Sequence, residues 1–237
     1  TFGVPVMIIF KALSALLTYP VADLQAAIPD IRAALQDEGL LGPKHQAALA
    51  PLLTHLEKTD LTDLQEEYVL LFDRSRTLSL NLFEHIHGES RDRGGAMVDL
   101  LETYRAAGFD LAGSELPDHL PVLLEFLSTQ NMTVAQDMLS GAGHILVALA
   151  ERLTRRNSRY AAVLDALVVL SQASMDSPEA QLLLAETDDN PEDLEALDAV
   201  WTEAQVTFGP DPNAGCPVSR DLLARIAAPA PAPAAAE

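Results

Sequence analysis

Apolar side chains follow one another along this chain with the spacing of an α-helix, and this periodicity restricts the fold more than any other feature. Two segments carry it most clearly, at Met97, Leu100, Leu101 and Tyr104 and at Leu120, Leu123, Leu124 and Leu127. Positions i, i+3, i+4 and i+7 lie on one face of a helix. Aromatic residues, which strands favour, make up 5% of the chain. The sequence therefore predicts an all-α fold, with more than half of the residues in helices and no sheet.

Several residues predict where helices begin, break or end. Asp60 is suited to cap a helix over residues 61–72. Gly108 is suited to end the helix that precedes it. Pro29 interrupts an amphipathic segment and predicts that it splits into two helices. Val122 and Phe126 add a second apolar side to their helix, which predicts a central position for it.

The chain is strongly acidic, with 15 Lys and Arg against 35 Asp and Glu and a net charge of −20. Nucleic acid and anionic membrane surfaces attract clustered basic residues, so the charge argues strongly against nucleic acid as a partner and disfavours anionic membrane surfaces. Residues 160–219 contain twelve acidic residues and no Lys or Arg. This stretch is either a solvated surface that aids solubility or a surface that attracts a basic partner segment.

The cysteine content and the N-terminal residues indicate in which cellular compartment the protein resides. Cys216 is the one cysteine, which favours a reducing environment. The apolar residues 4–10 are too few to span a membrane and lack the features of a signal peptide. We therefore expect a cytoplasmic protein without stable membrane insertion.

The densest polar stretch of the sequence runs from residue 72 to residue 93. His85, His87 and Glu89 in it are candidate metal ligands. Residues two apart on a helix point roughly 200° away from each other, and no further ligands follow at a recognisable spacing. We predict no metal. The mixture of charges is typical either of a salt-bridged junction between helices or of a binding surface.

Catalytic signatures are missing from the sequence. No serine stands in a Gly-x-Ser-x-Gly elbow. Residues 141–143, Gly-Ala-Gly, precede a helical segment but lack the rest of a phosphate-binding fingerprint. The sequence therefore predicts a protein that is not an enzyme.

A second polar constellation lies at Glu115-Leu116-Pro117-Asp118-His119, followed by Leu120 and Pro121. Asp118 is predicted to cap the next helix, which places Pro121 in the first turn, where a missing N–H costs nothing. His119 has no comparable structural role in the sequence. Its imidazole is a candidate to exchange a hydrogen bond with a partner.

These segments carry a resemblance to a known family. The stretch 68–72, Tyr-Val-Leu-Leu-Phe, resembles the Tyr-x-x-Leu-Phe element of the TorD and DmsD type of chaperones, and 115–119 resembles their Glu-x-Pro-Asp-His motif. The run 71–94 is more similar still to the respiratory nitrate reductase chaperone (NarJ) family, as is 10–20. The likeness extends over 10–201.

The extent of the resemblance and the Ala/Pro composition of the C-terminus together predict a domain organisation. We expect an N-terminal extension at 1–9, a single compact helical bundle at 10–208, a C-terminal loop with a short helix at 209–226 and a disordered Ala/Pro tail at 227–237.

The resemblance also implies a function. Such proteins bind the N-terminal segment of the nitrate reductase catalytic subunit, delay its anchoring at the membrane and support insertion of the molybdenum cofactor. They hold no cofactor stably themselves, and molybdenum cofactor delivery proteins are further expected partners. Carrying the two motifs over places the peptide site at Tyr68, Leu71, Phe72, Glu115, Asp118 and His119, with an additional surface at Arg74, His85, His87, Glu89 and Arg93.

Three alternatives remain open at this point. The chain could serve another molybdenum oxidoreductase of the same class. It could handle a nucleotide or cofactor, for which a phosphate loop or a metal triad would be the sign. It could also be an adaptor that bridges two proteins. The oligomeric state is left open.

Overall fold

The amphipathic segments form eleven α-helices in the part of the chain that the computed structural model describes, residues 7–87 and 91–189. They are α1 Ile8–Leu16, α2 Ala22–Asp37, α3 Pro43–Lys58, α4 Leu61–Tyr68, α5 Glu84–His87, α6 Arg91–Ala106, α7 Leu120–Ser128, α8 Met132–Gly141, α9 Gly143–Arg155, α10 Ala161–Ser171 and α11 Pro178–Ala185. A π-helical turn, Val69–Asp73, and a 3₁₀ turn, Arg76–Leu78, follow α4. Within these residues there is no strand, which confirms the all-α prediction.

The core forms where α1 packs on α7 and where α9 packs on α10. Each helix contributes a fully buried apolar face, as the period of 3.6 residues requires. Leu120, Leu124 and Leu127 of α7 have no exposed surface, and Phe126 on its second apolar side is buried as well. The predicted central position of α7 is confirmed.

The first helix is held at its start by more distant residues. The backbone N–H groups of Ile8 and Ile9 donate to the Glu38 carboxylate, and that of Met7 donates to the Ser128 carbonyl at 2.8 Å. These contacts satisfy donors that the first turn of a helix leaves without partners. The packed helix thus begins two residues before Phe10, where the resemblance starts.

Two of the predicted helix boundaries are confirmed. The Asp60 side chain accepts a hydrogen bond from the Thr62 N–H at 2.9 Å and caps α4. Gly108 follows α6 with φ +79°, a conformation that glycine adopts without strain.

The prediction that Pro29 splits its segment is wrong. Helix α2 continues through it. Pro29 lies on the exposed face, while Ile28 and Ile31 on either side are buried. Both halves of the helix are therefore held against one core, which outweighs the hydrogen bond that proline removes.

Some sequence features fall outside the described residues. They are Glu89, Cys216, the acidic residues beyond 189, the Ala/Pro tail, and Asn190 and Pro191, whose residue types predict the cap and first turn of a further helix.

Candidate functional site

The Tyr-x-x-Leu-Phe element ends an α-helix and continues as a π-helical turn. The sequence predicted an α-helix to residue 72, but α4 ends at Tyr68 and the π turn Val69–Asp73 takes over. Single π turns inside helices are frequent at functional sites. The turn begins at the first residue after the motif's tyrosine and ends one residue beyond its phenylalanine.

Both aromatic residues of this element belong to the core. The Tyr68 hydroxyl donates to the Leu17 carbonyl at 2.9 Å, and burial raises the pKa of Tyr68. Phe72 is 6% exposed, with its ring centroid 5.0 Å from that of Tyr68 and 5.2 Å from that of Tyr160. Leu71 is half-buried and lines a shallow cavity beside Arg156. Of the three apolar residues predicted for the site, Leu71 is thus the most accessible.

The Pro-Asp-His motif pairs with a loop that lies about 35 residues earlier. The Leu82 N–H donates to the Asp118 carbonyl at 3.1 Å, and the Leu120 N–H donates to the Leu80 carbonyl at 2.8 Å. In addition, the Phe83 N–H donates to Oδ2 of Asp118 at 2.9 Å. The motif therefore fastens two loops to each other at the start of α7.

The predicted capping role of Asp118 is wrong, because its carboxylate binds Phe83 instead of the first turn of α7. The N-cap position belongs to His119, whose side chain makes no capping bond, although Pro121 does lie in the first turn. Asp118 is fully buried, and its Oδ1 has no hydrogen-bond partner among the residues that the structure describes. Burial raises the pKa of this carboxyl, against the opposing effects of the Phe83 N–H and the Arg93 charge.

His119 has a structural role that the sequence did not reveal. Its Nδ1 lies 3.1 Å from Oδ1 of Asn81, to which it donates a hydrogen bond. The imidazole is half-buried, and burial lowers the pKa of His119. The carboxylates of Glu115, Asp118 and Asp73 oppose that change. The expectation that His119 has no structural role is wrong.

Charged side chains at the two motifs lie near enough to influence one another electrostatically. Asp73, at the end of the π turn, interacts electrostatically with both His119 and Glu115. Asp73 and Glu115 are exposed. Asp73 was missed among the predicted site residues, although its position directly after Phe72 was a usable signal. The surface of Asp73, Glu115 and His119 is named the acidic surface below.

The additional predicted surface divides into two places. Arg74 lines a shallow cavity of about 480 Å³ together with Tyr19 and Leu70. His85, His87 and Arg93 instead line a separate cavity of about 550 Å³. This cavity, with Arg76 and Arg152 also in its lining, is named the arginine cavity below.

Hydrogen bonds and ring contacts fix the side chains of the arginine cavity. Nε2 of His85 donates to the Ser79 carbonyl at 2.8 Å, and Arg93 forms an ion pair with Glu84 at 3.0 Å. The His87 ring packs edge-on against Phe83. No group of three His, Cys, Asp or Glu side chains in residues 7–87 and 92–189 could hold a metal ion.

Arg152 in α9 and Arg156 directly after this helix anchor the loop that follows the π turn. No sequence motif had pointed to either residue. Arg152 is 1% exposed and donates to the Thr77 carbonyl at 2.9 Å and to the Leu183 carbonyl. Arg156 forms ion pairs with Asp188 and Asp189 at 2.6 and 2.9 Å. Two carboxylates in the middle of the acidic stretch are thus neutralised within the protein.

The fold is similar to that of a solved structure. A protein from Archaeoglobus fulgidus, described as a candidate redox enzyme maturation protein, matches with a TM-score of 0.51 and 24% identity. The match covers 69% of this chain and 91% of that protein. The class of fold is that of this maturation protein.

Sequence comparison gives the family. A family model described as nitrate reductase delta subunit matches residues 22–166. The nitrate reductase molybdenum cofactor assembly chaperone NarJ of Escherichia coli K12 is 43% identical over 211 residues, which cover 88% of each protein. NarW of the same organism is 45% identical over 173 residues, 70% of this chain and 74% of NarW. This chain belongs to the nitrate reductase delta subunit family, and the resemblance found in its motifs is confirmed.

None of the described helices is both long and apolar enough to cross a bilayer.

Proposed function

We propose that this protein is a dedicated assembly chaperone of a respiratory nitrate reductase and not an enzyme. It binds the N-terminal segment of the catalytic subunit, delays anchoring of that subunit at the membrane and keeps it competent for molybdenum cofactor insertion. The observation that carries this proposal is the 43% identity to NarJ over 88% of both chains. The protein acts in the cytoplasm, holds no cofactor stably and works alongside molybdenum cofactor delivery proteins.

The acidic surface supports a peptide-binding role. A short amphipathic helix lying in a groove is a common mode of peptide recognition. Asp73 directly follows the first motif, Glu115 begins the second, and both side chains are exposed. The net charge of −20 adds a long-range negative field to these two negative charges. Such a field favours the approach of a basic segment. We expect the N-terminal segment of the catalytic subunit to carry basic residues beside its apolar face.

Burial divides the roles within the proposed site. The peptide contacts the more accessible residues, Leu71, Glu115 and His119. Tyr68, Phe72 and Asp118 are buried and act indirectly, because they hold the π turn and the paired loops in place. A substitution in the second group therefore affects stability and binding together.

Calorimetric titration with a synthetic peptide tests the proposal. The peptide spans the first ~20 residues of the cognate catalytic subunit, a length that forms several helical turns. We expect one peptide per chain, and weaker binding of a scrambled peptide of the same composition by at least about tenfold. Equal affinity for the two peptides would reduce the interaction to non-specific charge attraction and contradict the proposal.

A further inference from the structure

Helix α6 carries more apolar side chains than the fold buries. Among residues 92–106, Tyr104 is the one that is buried. Met97 and Leu101 are half-buried, and Val98 beside them is 55% exposed. Apolar side chains that lie together on the surface of a protein often mark an interaction site.

These side chains line an open groove of about 750 Å³, which is named the α6 groove below. Leu116 and Pro117 of the Glu-x-Pro-Asp-His motif line it as well, and Leu116 is 42% exposed. Along α6 the groove extends from Arg93 to Leu101, which is roughly two helical turns. The groove is therefore predominantly apolar and long enough to receive a short helix.

Two contacts hold α6 in place beside the motif. The Tyr104 hydroxyl donates to the Pro117 carbonyl at 2.8 Å, and the Tyr104 ring lies 4.5 Å from that of Phe126 in the central helix α7. At the other end of the groove, Arg93 forms an ion pair with Glu84 at 3.0 Å. The groove is thus formed before any partner binds, and a preformed site loses less conformational entropy on binding.

Exposed carboxylates flank the α6 groove. Glu102 follows Val98 by one helical turn, and Glu115 directly precedes Leu116. Since Glu115 also belongs to the acidic surface, the groove and that surface adjoin each other. A second copy of this chain would bring another net charge of −20 to this place, whereas a basic segment would bring charges of the opposite sign.

We propose that the α6 groove binds the apolar face of a basic amphipathic helix, formed by the N-terminal segment of the catalytic subunit. This inference rests on the proposed function, and it supplies the apolar contact that the acidic surface lacks. A helix bound in a groove uses apolar residues at i, i+3, i+4 and i+7, which span two turns, as the groove does. Basic residues beside that face then lie next to Glu102 and Glu115.

A matched pair of valine variants tests this assignment, with calorimetric titration of the same synthetic peptide. Val98 and Val169 both lie in helices and are 55% and 45% exposed, but Val169 of α10 is not in the lining of the groove. Val98→Gln is expected to weaken peptide binding at least about fivefold, whereas Val169→Gln leaves it unchanged. An equal loss in both variants, or a loss in neither, would overturn the assignment.

Methyl NMR of the unaltered protein provides a second test, which decides the question if Val98→Gln lowers the melting temperature. Met97 lines the groove, and Met175, which is 47% exposed, lies outside its lining. Saturating peptide is expected to shift the methyl resonance of Met97 and to leave that of Met175 in place. A Met97 resonance that does not respond would place the peptide elsewhere and overturn the proposal.

The results separate failure of this inference from failure of the proposed function. If the unaltered protein binds the peptide and a scrambled peptide equally, the proposed function and the occupant of the groove are both contradicted. Specific binding that Val98→Gln does not weaken contradicts the groove alone. If Val98→Gln instead dissociates a dimer seen by analytical ultracentrifugation and leaves peptide affinity unchanged, the groove is an interface between copies and the proposal is overturned.

Discussion

Replacing His119 by alanine separates a binding role from a structural one. The substitution removes the imidazole whose Nδ1 lies 3.1 Å from Oδ1 of Asn81. Both side chains are half-buried, and the net contribution of such a hydrogen bond is about 1 kcal/mol. The melting temperature of a domain of this size should fall by about 2–4 °C. The helical circular dichroism spectrum should be retained.

Binding should change more than stability in the same variant. If His119 contacts the peptide, His119→Ala weakens binding of the catalytic subunit's N-terminal peptide at least about tenfold, or about 1.4 kcal/mol. Isothermal titration calorimetry at 25 °C measures this directly. Unchanged affinity in a folded variant would remove His119 from the site.

Asn81→Ala is the matched control, because it breaks the same hydrogen bond and leaves the imidazole in place. We expect it to cost a similar amount of stability, about 1 kcal/mol, and to retain most of the peptide affinity. A double-mutant cycle then gives the coupling between the two residues. Equal loss of affinity in both single variants would mean that His119 acts only by holding the loop.

Three further changes test the fold and the field. Gly143→Ala should lower the free energy of unfolding, measured in urea, by about 1–3 kcal/mol, because the added Cβ would lie 2.7 Å from the Cβ of Ala173. Gly141→Ala, with open space around it, should leave this free energy unchanged or raise it. A destabilised Gly141 variant would count against this packing. Tyr68→Phe should lower the free energy of unfolding by about 0.5–1.5 kcal/mol, since the hydroxyl bonded to the Leu17 carbonyl is lost, and an unchanged free energy would contradict that bond. In stopped-flow experiments, raising salt from about 50 to about 500 mM should slow peptide association far more than dissociation, and association rates indifferent to salt would remove the steering role of the acidic residues.

Local signals in the sequence correctly predicted those structural features that depend on interactions between neighbouring residues. Helical periodicity identified the central helix α7, and Asp60 and Gly108 marked helix ends, because caps and left-handed turns depend on neighbouring residues. The family motifs likewise identified the two segments whose charged residues Asp73 and Glu115 influence each other electrostatically.

Long-range partners account for most of what the sequence could not predict. Asp118 looked like a cap, but its carboxylate binds the Phe83 N–H, a residue 35 positions away. His119 was given no structural role because its partner, Asn81, is 38 positions away. Arg152 stands in no motif and acquires its role only when α9 packs beside the loop after the π turn.

The central claim is that this protein binds the catalytic subunit of a nitrate reductase through the N-terminal segment of that subunit. Capture of the bound proteins from living cells tests it most directly. A tagged version of this protein is captured from cells respiring nitrate, and bound proteins are identified and quantified by mass spectrometry. The matched strain carries a catalytic subunit that lacks its N-terminal segment. We predict that the nitrate reductase catalytic subunit is the main bound protein and that its recovery falls at least about tenfold in the truncated strain, since the proposed function assigns the binding energy to that segment. Recovery of the truncated subunit at the full level, or capture of a different enzyme instead, would contradict the proposed function.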